Sequence, residues 1–459
     1  MTPVLAHAFG GVKDLPVPLW LFYYAGAAVL VFSFVALGVL WRRPRLGEAA
    51  AERPLPKPLQ RVLLSPVTRL VLGGAAVALF VLVWLAAALG TADASVNLAP
   101  TFVFVLFWIG LVPLVVIFGN VWRVVSPWKA AADGAHWLWA RVAPPWRTPF
   151  PYPPGLGRWP AVVLLFAFVV FELAYSDPSD PRALALAIWI YSLVTWGGML
   201  VFGREAWLQN GEAFNVYFGL LARVSPFAVQ TSADGRRTVV ARPPLSALAV
   251  DEERRGTLAF VAVMLGSVGF DGVSRTRWWQ DLRLEAQADL VLESPGLAEL
   301  VGTALNVGGI LAAAALVALA YLLAVAAAGL IAGARRDLAG AFLLSLVPIA
   351  LVYVVAHYFS LFVLQGQFAI PLASDPFGRG ADLLGTADYE VDLGLLSPNA
   401  IWYTQVVALI AGHVAGLVVA HDRAVQLFAS ARTAIRTQYA MLALMVAYTV
   451  GGMWILAQP

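Results

Sequence analysis

The sequence predicts an all-α fold, a polytopic bundle of about ten transmembrane helices making one integral membrane domain over residues 1–459. Three observations predict it. The chain is 61% hydrophobic and only 12% charged, whereas a soluble domain is about a quarter charged and about 45–50% apolar. Uninterrupted apolar runs such as Leu70 to Leu89 and Leu311 to Ala332 reach the ~20 residues that cross ~30 Å of hydrocarbon. Lysine and arginine gather at alternate ends of these runs.

Taken in order, the apolar runs are 19–41, 67–90, 100–121, 159–176, 183–203, 257–270, 301–332, 341–365, 399–421 and 437–456. Only Lys13 is basic before the first run, so Trp20 to Trp41 reads as a retained anchor rather than a cleaved signal. With the loop after the first run placed inside, the loops 42–66, 122–158 and 204–256 are cytoplasmic. Loops 271–300 and 366–398 and both termini are then extracytoplasmic. Lys13, Arg182, Arg275, Arg277, Arg283 and Arg379 are the basic residues left outside, a small share of the 30 Lys and Arg. That bias is what the positive-inside rule requires, and it orients a multi-pass membrane protein.

The net charge of +3 therefore reflects topology and attraction to anionic lipid, not nucleic acid. The expected partners are the lipid bilayer and a small apolar substrate or solute. With no cysteine, thiolate metal sites, thiol nucleophiles and covalent c-type haem are excluded. A phosphate-cradling Gly-rich loop, His-Glu-x-x-His and Gly-x-Ser-x-Gly are absent too, which excludes ATP-driven motors, familiar zinc proteases and the usual serine hydrolases.

Two segments depart from full-length spans. Thr257 to Phe270 reads as a short crossing ending in the Gly-rich Gly266 to Gly272, and Asn306-Val307-Gly308-Gly309 reads as a break near the start of the seventh run. Glu212 to Ala222 is apolar but too short to span, so it lies along the cytoplasmic interface or re-enters. Its polar lead, Arg204 to Glu212, is suited to fixing it in place. A faint echo joins Val125-Ser126-Pro127-Trp128 to Val224-Ser225-Pro226-Phe227, either a duplicated two-helix unit or a coincidence of turn residues.

Ionisable residues within spans are costly and mark candidate sites. His357 and His413 sit on consecutive antiparallel runs with depths differing by about 9 Å. Glu172 and Asp271 lie toward the same outer face, and His7 and Asp14 precede the first span. Imidazoles with carboxylates suit a divalent metal ion. The candidate assignment is Asp271 and Glu172 as catalytic acids or bases, with His357, His413 and His7 as metal ligands. Each also has an ordinary role, a helix–helix hydrogen bond for a lone histidine and a cap for a carboxylate. Gly412 and Gly416 flank His413 as a small-residue face, and the depth mismatch of the two histidines disfavours haem between them. His421, Asp422 and Arg423 close the ninth run at the cytoplasmic face as a structural anchor, Asp422 pairing with Arg423 or His421.

Several stretches together resemble a bacterial membrane-protein family commonly labelled fenitrothion hydrolase. They are His7-Ala8-Phe9-Gly10-Gly11 with Asp14-Leu15-Pro16-Val17-Pro18, Phe270-Asp271-Gly272-Val273-Ser274-Arg275-Thr276, and Gly412-His413-Val414-Ala415-Gly416 through Ala420-His421-Asp422-Arg423-Ala424. The resemblance extends over the whole chain and implies cleavage of organophosphate triesters. A metal-bound or carboxylate-activated water would attack phosphorus, with His357, His413, Asp271 and either His7 or Glu172 as ligands and base. The competing readings are a secondary transporter of a small solute or ion, and an accessory protein that handles metal or supports a respiratory complex.

Overall fold

In a computed structural model, residues 18–47, 51–143, 150–333 and 338–457 are described. Among them nine helices are long and apolar enough to cross a membrane. The crossing helices used below are α1 (Leu19–Leu40), α2 (Pro66–Leu89) and α3 (Leu98–Phe118), then α5 (Trp159–Leu173) and α6 (Pro181–Phe202). The second half adds α8 (Thr257–Ser274), α9 (Pro295–Ala332), α10 (Val347–Gln365), α11 (Pro398–Leu427) and α12 (Tyr439–Leu456). Only α5 falls short of the nine, at 15 residues, about 22 Å of rise. The chain is thus an all-α polytopic bundle. Two further helices, α4 (Pro127–Val142) and α7 (Ala213–Leu221), do not cross.

Burial sorts the crossing helices. In α8 and in the helical run containing α10, 72% of the apolar window is buried, against 22% for α1 and α2, so the former make the centre and the latter face lipid. α8 packs on α9, α5 and α10; α10 packs on α11; and α1 closes the group against α11 and α12. α2, α3, α4 and α6 form the other half, which meets the first along α5 and α7.

The sixth and seventh spans correct the sequence expectation. α8 runs unbroken through Gly266 and Gly269 to Ser274, and α9 continues through Gly308 and Gly309 for 38 residues. The glycines serve approach rather than interruption. A Cβ on Gly266 would lie 2.5 Å from the Ala314 backbone nitrogen, and one on Gly309 would lie 2.1 Å from the Phe270 ring, so the two helices touch backbone to backbone as small residues allow in membranes. Much of 271–300 is likewise helix, at Arg277–Gln287 and Leu290–Glu293.

The segment expected at the cytoplasmic face after α6 does not lie flat. At Gly203, whose φ of 90° suits glycine alone, the chain turns back along α6 and Trp207 stacks on Gly198, where no Cβ fits. The chain reaches Glu212 beside Tyr191, then returns through α7, eight of whose nine residues are buried. Of the two sequence alternatives this is re-entry. Residues 119–142 make a similar inward excursion: Trp128 donates from Nε1 to Ser192 Oγ at 2.8 Å, and Trp122 packs on Phe107 and Phe218. A π-helical stretch at Phe102–Phe107 widens α3 where these aromatic rings enter.

The echoed Ser-Pro segments fold differently. Ser126 caps α4 through the Lys129 N–H, whereas Ser225 donates to Ile117 O and leads into a strand. That strand, β2 (Phe227–Thr231), pairs antiparallel with β3 (Arg237–Ala241), which also pairs with β1 (Arg53–Pro54) in the order β1-β3-β2. The small sheet, invisible to hydropathy, joins the first and third basic loops.

Two measurements check this fold. Because the chain lacks cysteine, single-cysteine variants report sidedness cleanly. Ala387→Cys, on an exposed stretch of the acidic end, reacts with a membrane-impermeant maleimide on intact cells; Ser232→Cys, exposed at the basic end, reacts only after lysis. The reverse pattern would overturn the orientation. Gly266→Ala forces α8 from α9 and lowers stability by about 1–3 kcal/mol, read as a lower unfolding temperature in detergent, whereas Gly308→Ala, with open space at its Cβ, does not.

Candidate functional site

Asp271 occupies the last turn of α8 at the acidic end of the bundle and is 3% exposed. Its Oδ2 accepts the Nε2–H of His357 at 2.8 Å and the hydroxyl of Tyr358 at 3.1 Å, both from α10. Its Oδ1 accepts from Arg275, one helical turn onward, at 2.9 Å from Nη2 and 3.2 Å from Nε. A carboxylate at this depth persists only if paired and hydrogen-bonded. Arg275 supplies the counter-charge, with its side chain 38% exposed toward the end of the bundle. One nitrogen of His357 is thereby fixed by the carboxylate. Its Nδ1 makes no hydrogen bond among the described residues.

His357 also lines a narrow cleft of about 10 Å³ between α8, α10, α11 and α12, walled by Val268, Tyr353, Leu409, Gly452 and Ile455. Gly272 keeps this region narrow, since a Cβ there would strike Ile455 at 2.0 Å. Glu172, in the last turn of α5, stands within electrostatic reach of Asp271, Tyr358 and Tyr217 but makes no hydrogen bond among the described residues.

The expected site residues therefore divide. Asp271 and His357 come together, and Glu172 makes no bond to either. His413 does not join them: it is fully buried on α11, its Nδ1 bonded to Leu409 O at 2.8 Å and its ring edge-on to Tyr353. The expected depth difference is the physical reason, because Tyr353, one turn below His357 on α10, lies at the level of His413. His7 and Asp14 lie outside the described residues. Among the described residues no three of His, Cys, Asp and Glu gather as metal donors do. The oxygens of Asp271 already receive an imidazole, a phenol and a guanidinium, and that guanidinium repels a divalent ion. The donor set of this cluster suits a proton better than a metal.

At the basic end, Asp422 is fully buried and pairs with neither sequence neighbour. It accepts from Trp41 Nε1 at 2.8 Å, the backbone N–H of Arg45 at 2.6 Å, that of Leu46 at 3.2 Å and Gln426 Nε2 at 2.7 Å. Adjacent helical residues point about 100° apart, so His421 faces Gln438 and the Trp41 carbonyl, and Arg423 reaches Asp251 at 2.5 Å. The three residues thus tie the turn after α1 and the segment before α8 to α11.

Two polar centres were not singled out from the sequence. Glu212, fully buried, caps α7 through the N–H groups of Phe214 (3.0 Å) and Asn215 (2.7 Å), and also accepts from Tyr191 and, at 3.5 Å, from Trp122. An acid directly before an apolar run was the available signal. Glu252 sits between Arg158 (3.4 Å) and Arg223 (3.2 Å), with its side chain and that of Arg158 nearly inaccessible. Burial pushes the Arg158 guanidinium down to about 10. Nothing in the spacing of these three residues announces their meeting.

Glu252→Gln leaves two guanidinium groups without their counter-charge and should cost about 3–5 kcal/mol, seen as a lowered unfolding temperature that Glu253→Gln does not reproduce. Compared with protein-family models, with curated proteins and with solved structures, the chain finds no match in any of the three, so its site is read from its own geometry.

Proposed function

We propose that this multi-pass protein works in a bacterial plasma membrane as an acid–base catalyst at its outer face, hydrolysing a small apolar ester that partitions into the bilayer. The observation that carries this reading is the 2.8 Å contact between Asp271 Oδ2 and His357 Nε2 on a ring that lines the apolar cleft. A carboxylate that fixes one imidazole nitrogen sets the tautomer and leaves the other nitrogen as a proton acceptor. In this role Nδ1 of His357 takes a proton from water as the water oxygen attacks the ester centre. Asp271 steadies the imidazolium so formed, and the proton returns to the departing oxygen. Arg275 holds the Asp271 charge, and the apolar side chains around the cleft part to receive the aryl or alkyl part of the substrate. Aryl phosphotriesters, the class implied by the resemblance to fenitrothion hydrolases, satisfy these demands.

A second reading, proton-coupled transport of a small solute, draws on a different observation. Two re-entrant segments meet inside the bundle at the buried Glu212, as discontinuous helices meet at transporter binding sites.

The purified protein in liposomes separates them. Release of the aryl alcohol from an aryl phosphotriester is expected, with kcat/KM reduced about 100-fold or more by Asp271→Asn or His357→Ala while both variants remain folded in the membrane. Full activity in both variants sinks the proposed site. No release of product from the phosphotriester, together with uptake of unchanged compound under an imposed pH gradient, replaces hydrolysis by transport.

A further inference from the structure

The longest crossing helix outruns the hydrocarbon. At 38 residues α9 rises about 57 Å, against ~30 Å of hydrocarbon, and at the acidic end it forms a hairpin with the helix Arg277–Gln287. The base of this hairpin is level with the Asp271–His357 pair, for Gly309 meets Phe270, the neighbour of Asp271, and Asn306 lies one turn further out.

One face of the helix Arg277–Gln287 is pinned to α9. Trp279 packs edge-on against Phe270 and donates from Nε1 to Asn306 Oδ1 at 3.1 Å. Gln287 donates from Nε2 to Ala298 O at 2.6 Å, where a Cβ on Gly302 would not fit. Residues 279, 283 and 287, four apart, therefore make the seam. The flank beside that seam is apolar and unpartnered: Trp278 is 65% exposed, and Leu282 and Ala286 follow it at the same spacing, both exposed. Away from α9 the helix is polar, with Arg277, Asp281 and Glu285 exposed.

The surface of α9 says what covers the apolar flank. Leu311, Leu319 and Leu323 lie on the exposed face that α9 turns to lipid, and Ala304, Leu300 and Leu297 carry the same face outward into the hairpin. No charged residue interrupts that stripe, so the medium that covers its inner part extends along its outer part. Where hydrocarbon gives way to headgroups, a tryptophan with its apolar body below and charged neighbours above is well accommodated. The polar side of Arg277–Gln287 presents both signs of charge, as zwitterionic headgroups do.

We propose that Arg277–Gln287 is an interfacial anchor bedded in the headgroup layer of the leaflet at the acidic end. Trp278, Leu282 and Ala286 meet the acyl chains, and Arg277, Asp281 and Glu285 lie among zwitterionic headgroups. Arg275, directly before the helix, extends into the same layer, and the Asp271–His357 pair stands at the boundary between lipid and water. This position is independent of the reaction proposed above and is measured without turnover.

The cysteine-free chain takes single nitroxide labels, read by electron paramagnetic resonance in phosphatidylcholine liposomes. Oxygen serves as the lipid-soluble relaxant and a nickel chelate, present on both sides, as the aqueous one. Labels at Leu282→Cys and Ala286→Cys are expected to favour oxygen and to lie about 5–10 Å into the headgroup and acyl boundary. Those at Asp281→Cys and Glu285→Cys are expected to favour nickel. Trp278→Ala added to Ala286→Cys is expected to move that label toward water. Ala286→Cys removes no packing, so it carries the test where Leu282→Cys fails to fold. Four labels equally open to nickel overturn the proposal, because the helix then stands in water. Stripe labels shielded from both relaxants overturn it too and assign the flank to protein, a second copy where like labels broaden one another.

Discussion

Hydrocarbon offers no hydrogen bonds, so each polar group that this chain carries below the headgroups has to be satisfied by another part of the chain. Asp271 shows how far that requirement reaches. Its two oxygens draw His357 and Tyr358 from α10 and Arg275 from its own helix, and in doing so they set the relative height and rotation of the two most buried helices. The glycines follow from the same constraint. With α8 fixed against α10 by a carboxylate, α9 and α12 are admitted to its other faces only where Gly266, Gly309 and Gly272 remove a side chain. The polar pairing and the close packing are two aspects of one arrangement.

The same logic explains the half of the bundle that lacks such a pair. There the chain turns back twice, and backbone that leaves a spanning helix at depth must be covered by protein. Glu212 satisfies two of the free N–H groups at the start of α7 and gathers Tyr191 and Trp122, so that the tips of both excursions meet on one carboxylate. Around it Phe107 packs edge to face on Phe214 and Phe218, and Trp128 packs edge to face on Trp122 and stacks on Phe214. Nearer the basic end Asp133 bridges Lys129 and Arg204, and Arg123 pairs with Glu205, linking the two excursions where water returns.

The crossing helices were legible because their signal is local: length of apolar run and the side on which Lys and Arg accumulate. α1, α2, α6, α11 and α12 lie within a few residues of the expected bounds. What failed was the meaning of glycine. In water Gly266-Ser267-Val268-Gly269 weakens a helix, but in a bilayer the unsatisfied backbone is costlier than the lost propensity, and the glycines become contact surface. At the site, Asp271, His357 and Glu172 could be found because a charge in an apolar run is conspicuous. Tyr358 could not, since aromatics are common in every span, and which of them faces a carboxylate depends on helix rotation. Asp422 was noticed for the right reason and given the wrong partners, because neighbours in sequence diverge on a helix.

One consequence concerns where chemistry is possible at all. His413 and His357 are both intramembrane histidines, yet they differ in what their spare nitrogen meets. His413 is enclosed, its Nδ1 on a backbone carbonyl and its Nε2 without a partner, and protonating it would bury an unpaired cation. His357 has a carboxylate beside it to receive that charge, and a cleft on its other side. The difference comes from Asp271 standing at the last turn of α8 rather than one turn deeper, where Arg275 could not extend toward the end of the bundle and the carboxylate itself would lack a counter-ion. The acid–base reading proposed above therefore rests on the level at which a carboxylate, its guanidinium and an imidazole come together, Asp271 with Arg275 and His357.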